Sequence, residues 1–280
     1  MAFAIAVELR YKVFQRSMVL LNLHALSTPH QSLSEESFTV TEGATCEFLP
    51  PQIGENRYVR LDTGDLESLL ITYSVNAETQ PLLRSIPEVE PVTAAAVHRT
   101  ALPYLFPSRY CESDRLFRLA TKTFDTSVHP LAQVAAVCDW IYENVDYLTG
   151  STDAATSAFD TVTQRAGVCR DFAHLCIALC RAVSIPARYF TGYACNMDPP
   201  DFHACVEVCV GNQWFIFDPT RLSALNGLVR IATGRDAADT AFASIFGSME
   251  LEFMTVSCSD PTFRPLSRQE LAGNAVLLEQ

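Results

Sequence analysis

The run Ile5-Ala6-Val7-Glu8-Leu9-Arg10-Tyr11-Lys12-Val13 is apolar at its odd positions and polar at 8, 10 and 12. A period of two predicts a strand with one wet face. Weaker alternation predicts further strands at Met18–Leu26, Arg57–Asp62 and Ser68–Val75, with polar loops over Ser27–Ser37 and Leu49–Glu55 between them. Short strands at such spacing predict an antiparallel β-sandwich over residues 1–80. Pro81, Pro87, Pro91, Pro103 and Pro107 then predict an extended connector over 81–112.

After Ser113 the period becomes helical. Ser113-Asp114 is read as the cap of a helix ending near Phe124. Pro130 opens a second helix, with Leu131, Val134, Cys138, Ile141 and Val145 at helical spacing. A short helix is expected over Ser157–Arg165, stopped by Gly167. In Cys169–Ser184 the stripe Phe172, Leu175, Cys176, Leu179, Val183 is flanked by Ala173, Ile177 and Cys180. A helix that apolar lies inside a domain. Strands are expected again at Ala187–Cys195, Phe202–Val210 and Gln213–Asp218. A helix over Arg235–Phe246 and a strand over Met249–Ser257 follow. The segment 113–280 therefore reads as one α+β domain.

Composition narrows the function classes. Hydrophobic residues make up 49% and charged residues 19%, a globular balance far from the disordered class. The net charge of −12, from 32 acidic and 20 basic side chains, repels phosphate and argues against a nucleic-acid partner. The opening MAFAIAVELRYKVF lacks a basic leader, and no apolar stretch approaches the roughly 18 residues a membrane helix needs. Read as a natural start, it predicts a cytoplasmic protein without a membrane partner. Composition leaves the oligomeric state open. No EF-hand-like loop calls for calcium, and no cofactor is expected. The ten cysteines include no CxxC pair, and Cys138, Cys176, Cys180, Cys205 and Cys209 sit in apolar runs, as small buried hydrophobes do.

Cys169 differs by position. It follows Gly167-Val168 and opens the most apolar helix, where free N–H groups and the dipole favour an anion, the setting of a reactive thiolate. A second pattern lies downstream. Phe202–Val210 and Gln213–Asp218 flank Gly211-Asn212, a two-residue turn signal. That turn pairs Val210 with Gln213 and carries Asp218 opposite Cys205. His203 and Asp218 then become diagonal neighbours on one face, about 7–8 Å apart at the backbone. The carboxylate can hold one imidazole nitrogen and leave the other for a thiol, the logic of nucleophile, base and orienter. A metal site built from Cys195, His203, Cys205 and Cys209 is the competing reading, and these residues lack the tight-turn ligand pairs of structural zinc. His174, inside the buried helix, reads as structural.

Arg165-Ala-Gly-Val-Cys-Arg-Asp-Phe-Ala-His-Leu175, Ile185-Pro-Ala-Arg-Tyr189, Asp201-Phe-His-Ala-Cys205 and Trp214-Phe-Ile-Phe-Asp-Pro-Thr220 together resemble the bacterial transglutaminase-like superfamily. The resemblance covers about Ser113 to Phe246, and the strands before it resemble the N-terminal β-domain of many bacterial members. It implies a papain-like core with Cys, His and Asp in this order, at Cys169, His203 and Asp218. It also implies acyl transfer through a thioester, on a protein or peptide substrate offering a glutamine carboxamide or a peptide bond. A protease- or amidase-like hydrolase is the leading reading. A true transglutaminase and a non-catalytic peptide-binding module are the alternatives. The Cys169 N–H is one oxyanion donor in this reading, and Gln164 is the candidate for the second.

Overall fold

The computed structural model describes residues 1–51 and 54–278; of the loop expected over Leu49–Glu55, Gln52 and Ile53 lie outside the described residues, as do Glu279 and Gln280 of the segment 113–280. The N-terminal part is β1 (Ala2–Val13), β2 (Met18–Leu21), β3 (Gln31–Val40), β4 (Thr45–Phe48), β5 (Val59–Asp62), β6 (Ser68–Thr79) and β7 (Leu82–Ser85). The remainder is α1 (Ser113–Thr123), α2 (Pro130–Asn144), β8 (Asp146–Tyr147), α3 (Ala158–Gln164), β9 (Ala166–Gly167), α4 (Cys169–Ala182) and β10 (Ala187–Ala194). It continues with β11 (Phe202–Val210), β12 (Gln213–Phe217), β13 (Leu228–Gly234), α5 (Ala237–Thr240), β14 (Ala243–Phe246), β15 (Met249–Ser259), α6 (Arg268–Leu271) and β16 (Asn274–Leu277). The fold is α+β, with a β-rich N-terminal part and a papain-like core.

Alternation in β1 is as regular as its sequence: Phe3, Ile5, Val7, Leu9, Tyr11 and Val13 are buried while most of their neighbours face water. These side chains meet those of β2, β5 and β6 in one core between two antiparallel sheets, ordered β15-β1-β6-β3 and β14-β2-β5-β4. Two strands of these sheets come from the far end of the chain, since β15 pairs with β1 and β14 with β2. Conversely, β7 joins β16 at the edge of the second part's sheet, ordered β13-β10-β11-β12-β16-β7.

Two expectations are corrected here. The polar loop over Ser27–Ser37 is largely strand, because β3 begins at Gln31 and pairs along β6. It is an edge strand, exposed along much of both faces and bulged between Ser34 and Ser37, so its sequence carries no alternation. The helix over Arg235–Phe246 is a single turn, α5. Asp236 caps it at Ala238 N–H (2.9 Å), and the chain then leaves as β14 to pair with β2. Helical propensity there loses to an open sheet edge. The α1 start also shifts by one residue, with Glu112 at the cap position.

α4 is the central element. Phe172 to Cys180 are all buried, against α1, α2 and the helix-facing side of β11. On the other face of β11, the fully buried Glu207 accepts from Arg188 (2.7 Å) and from Arg230 (2.6 and 2.9 Å), tying β10, β11 and β13 together. Burial alone would raise the Glu207 carboxyl, but the two guanidinium groups outweigh it and hold it down to about 2.

Candidate active site

Each candidate residue is placed by a different element. Cys169 is the first residue of α4, behind Val168 at the cap position. Valine has no side-chain oxygen to bond the first turn, which makes it a poor cap. Asp171 supplies the missing order from the third helical position. Its Oδ2 accepts the Val168 N–H (2.9 Å) and the Thr152 hydroxyl (2.7 Å), while Oδ1 accepts from Arg170. Asp171 is completely buried. Gly167 is needed beside it, since a Cβ there would lie 2.7 Å from the Asp171 Cβ. The helix start is thus held from within the first turn, without a side-chain cap from Val168. Replacing Asp171 by alanine leaves the Val168 N–H and the Thr152 hydroxyl without an acceptor. The expected cost is about 2–3 kcal/mol, read as a shift in the denaturant midpoint. An unchanged midpoint would refute this role.

The β11–β12 hairpin has the register expected from its turn, with Val210 opposite Gln213 and Val206 opposite Phe217. Both turn residues, Gly211 (φ 61°) and Asn212 (φ 60°), take the left-handed conformation that such a two-residue turn requires. The register brings His203 Nε2 to 2.8 Å from Asp218 Oδ2, in a contact closed to solvent.

The Asp218 carboxylate has more partners than the histidine. Oδ1 accepts from the Thr220 N–H (2.9 Å) and hydroxyl (2.6 Å), and Oδ2 from the Ser223 N–H (2.9 Å) and hydroxyl (2.7 Å). Burial pushes the Asp218 carboxyl up, but His203 and these donors outweigh it and hold it down to about 2. Burial likewise opposes a charge on His203. The adjacent carboxylate outweighs that, and the imidazole stays well above its ordinary value. His203 Nδ1 is buried without a hydrogen bond of ordinary geometry, and the Cys169 thiol lies on that flank, close enough to favour the imidazolium. The arrangement presents a thiol, an imidazole whose Nδ1 flank faces it, and a carboxylate that holds the ring through Nε2.

Cys205 lies on the same face, and its sulfur, His203 and Asp218 place potential ligand atoms within 4.8 Å of one another. The structure does not bring Cys195 or Cys209 into this group. Both Asp218 oxygens are engaged by other donors, and burial pushes the Cys205 thiol up to about 11. This chemistry suits an orienting carboxylate better than a metal ligand. His174 accepts the Ala237 N–H at Nε2 (3.1 Å) and stacks on Tyr110 at 4.9 Å, a packing role.

Cys169 and His203 form the divide between two cavities. One, of about 580 Å³, is walled by Tyr147, Thr149, Thr152, Met197, Pro199 and Leu222. The other, of about 500 Å³, is walled by Tyr110, Tyr189, Thr191, Phe242 and Ser244 among others. Asp201 and Arg170 border both. Gln164 ends α3 exposed and borders neither, so it is not a donor to this site. Two residues of the site escape sequence reasoning. Ser223 reaches Asp218 across a loop without periodicity, and Tyr147 stands in a strand of two residues.

Comparison with known proteins now decides the family. The transglutaminase-like superfamily core matches residues 118–219, and the bacterial transglutaminase N-terminal domain matches residues 1–92. A crystal structure from Cytophaga hutchinsonii, provisionally named a cysteine protease, is 46% identical, with a TM-score of 0.94 over 100% of this chain and 98% of that one. The chain belongs to the transglutaminase-like superfamily. Among curated proteins, an uncharacterized protein of Mycobacterium leprae is 28% identical over 62% of this chain and 66% of its own length. One from Mycobacterium tuberculosis is 32% identical over 39% and 40%. The chain thus spans less than two thirds of the length of these curated relatives. Among the described residues no helix is long and apolar enough to cross a membrane.

Proposed function

We propose that the protein is a cysteine-dependent amide hydrolase working through Cys169, His203 and Asp218, with a peptide or protein as substrate. The observation that carries this reading is the His203–Asp218 pair beside the thiol, at the divide of two cavities. A peptide laid across the divide puts its acyl part in one cavity and its leaving amine in the other. The name of the Cytophaga hutchinsonii relative agrees with this.

The thiolate sulfur attacks the carbonyl carbon, and the C–S bond forms as the carbonyl π pair moves to oxygen. That pair returns as the C–N bond breaks, and the amine leaves with the proton held on His203. A water then attacks the thioester, gives its proton to His203, and the acid departs as the thiolate is restored.

A glutamine peptide incubated with and without a labelled primary amine tests the reading. Release of ammonia or peptide cleavage, with no label in the product, is expected. Stoichiometric label incorporation would overturn hydrolysis in favour of amine transfer.

A further inference from the structure

A tetrahedral intermediate at Cys169 needs two donors for its oxygen. The Cys169 N–H, at the first position of α4, is one. Two side-chain donors on the cavity wall beside Cys169 are engaged elsewhere. The Thr152 hydroxyl is spent on Asp171. Arg170 is spent on Asp171 and on the Asp153 carbonyl. Tyr147 is different. Its strand β8 pairs in parallel with β9, Tyr147 opposite Gly167, and the Leu148 N–H bonds the Gly167 carbonyl at 2.9 Å. The pairing locks Tyr147 beside the start of α4, and its ring packs against Phe172 at 5.8 Å. The phenol oxygen faces the Cys169 backbone N–H, with the thiol and His203 close by.

From this placement we propose that the Tyr147 hydroxyl is the second oxyanion donor, acting with the Cys169 N–H; the assignment rests on the acyl-transfer reading above. In the free protein the phenol oxygen stands where the substrate's oxygen will come. An incoming carbonyl displaces it from the N–H, and the hydroxyl then turns its own proton to that oxygen. The residue can shift because it is 44% exposed on its outer side. Burial, with the neighbouring Cys169 adding to it, pushes the phenol up to about 12, so it keeps its proton to give throughout the neutral range.

The test compares two reactions of one thiol in the wild type and in Tyr147→Phe, a variant that keeps the ring packing. Acylation by 4-nitrophenyl acetate develops an oxyanion, whereas alkylation by iodoacetamide does not. Removing one such donor costs about 10²–10³-fold in rate. Acylation is therefore expected to fall by roughly 10²-fold or more, in the rate constant and not in KM. Alkylation should stay within about 2-fold, since no oxyanion forms in it. Unchanged or faster acylation in the variant overturns the assignment, making Tyr147 a plug over the thiol. A parallel fall in both reactions also overturns it, because the hydroxyl would then act on the thiol itself. A wild type alkylated at Cys169 but acylated by no ester overturns the acyl-transfer reading, and the assignment falls with it.

Discussion

Replacing Cys169 by alanine is expected to lower turnover by on the order of 10⁶-fold, the scale on which a lost nucleophile collapses a triad. No other thiol can stand in for it. Eight of the ten cysteines are buried, and the remaining one, Cys46, lies on β4 in the N-terminal sheets. Cys46 is exposed, and the partial covering of its thiol pushes it up, away from the reactive form. Among the buried ones, Cys176 is raised well above the ordinary value by its thiol neighbours Cys138 and Cys180 and by burial. The decisive measurement is the intact mass after brief exposure to an acylating ester. One acyl group per chain is expected on the wild type and on Cys46→Ala, and none on Cys169→Ala. Acylation that persists in Cys169→Ala, or that vanishes in Cys46→Ala, removes Cys169 from the mechanism. The fold should survive the change, because Cys169 only adjoins the core that α4 fills with Phe172, Leu175, Cys176 and Leu179.

Much of this site is legible in the amino-acid order, and the reasons are local. The β11–β12 register depends on two residues, Gly211 and Asn212, whose turn geometry is nearly obligatory, so the His203–Asp218 contact follows from counting. Cys169 is marked by the apolar helix it opens. The same helix start breaks a local rule, since valine is among the worst caps, and such breaks tend to fall at functional sites. Here the cap position offers no side-chain acceptor, and Asp171 holds the turn from within. That compensation is visible only in three dimensions, because Asp171 alone in sequence is one acidic residue in a first turn.

What escapes sequence reasoning is non-local. β14 and β15 complete sheets begun more than 220 residues earlier, and nothing in Ala243–Phe246 or Met249–Ser259 names its partner. β3 hides because an edge strand needs no apolar face. Tyr147 hides because a two-residue strand carries no period, and its meaning comes from pairing with Gly167. Ser223 hides for a related reason: its bond to Asp218 spans an irregular loop.

Asp218→Asn is expected to lower kcat by on the order of 10³–10⁴-fold while leaving the protein folded, the scale seen when an orienting carboxylate is made neutral. Each carboxylate oxygen receives a backbone N–H, from Thr220 at Oδ1 and from Ser223 at Oδ2, at 2.9 Å in both cases. An amide must point its NH₂ group at one of them. If it faces Ser223 and His203, it donates to Nε2, moves the imidazole proton to Nδ1, and removes the base from the thiol. If it faces Thr220, the histidine contact survives at the cost of two opposed donors. Either way the counter-charge is lost, and burial then drives the His203 imidazole below its ordinary value.

The pH dependence of stability follows with its sign. His203 is raised in the folded protein, so its contribution is full below about pH 6.5, the unfolded value, and fades as pH rises through the folded value. Asp218 is depressed to about 2, so its contribution is full above the unfolded value near 3.8 and is lost as pH falls towards 2. The pair therefore stabilises the wild type most between those two unfolded values. The difference in unfolding free energy between wild type and Asp218→Asn should peak in that window and shrink on both sides. A difference that stays flat from about pH 3 to pH 9, roughly the span of ordinary carboxylate and imidazole titration, would show that Asp218 and His203 do not form the charged pair on which the base depends.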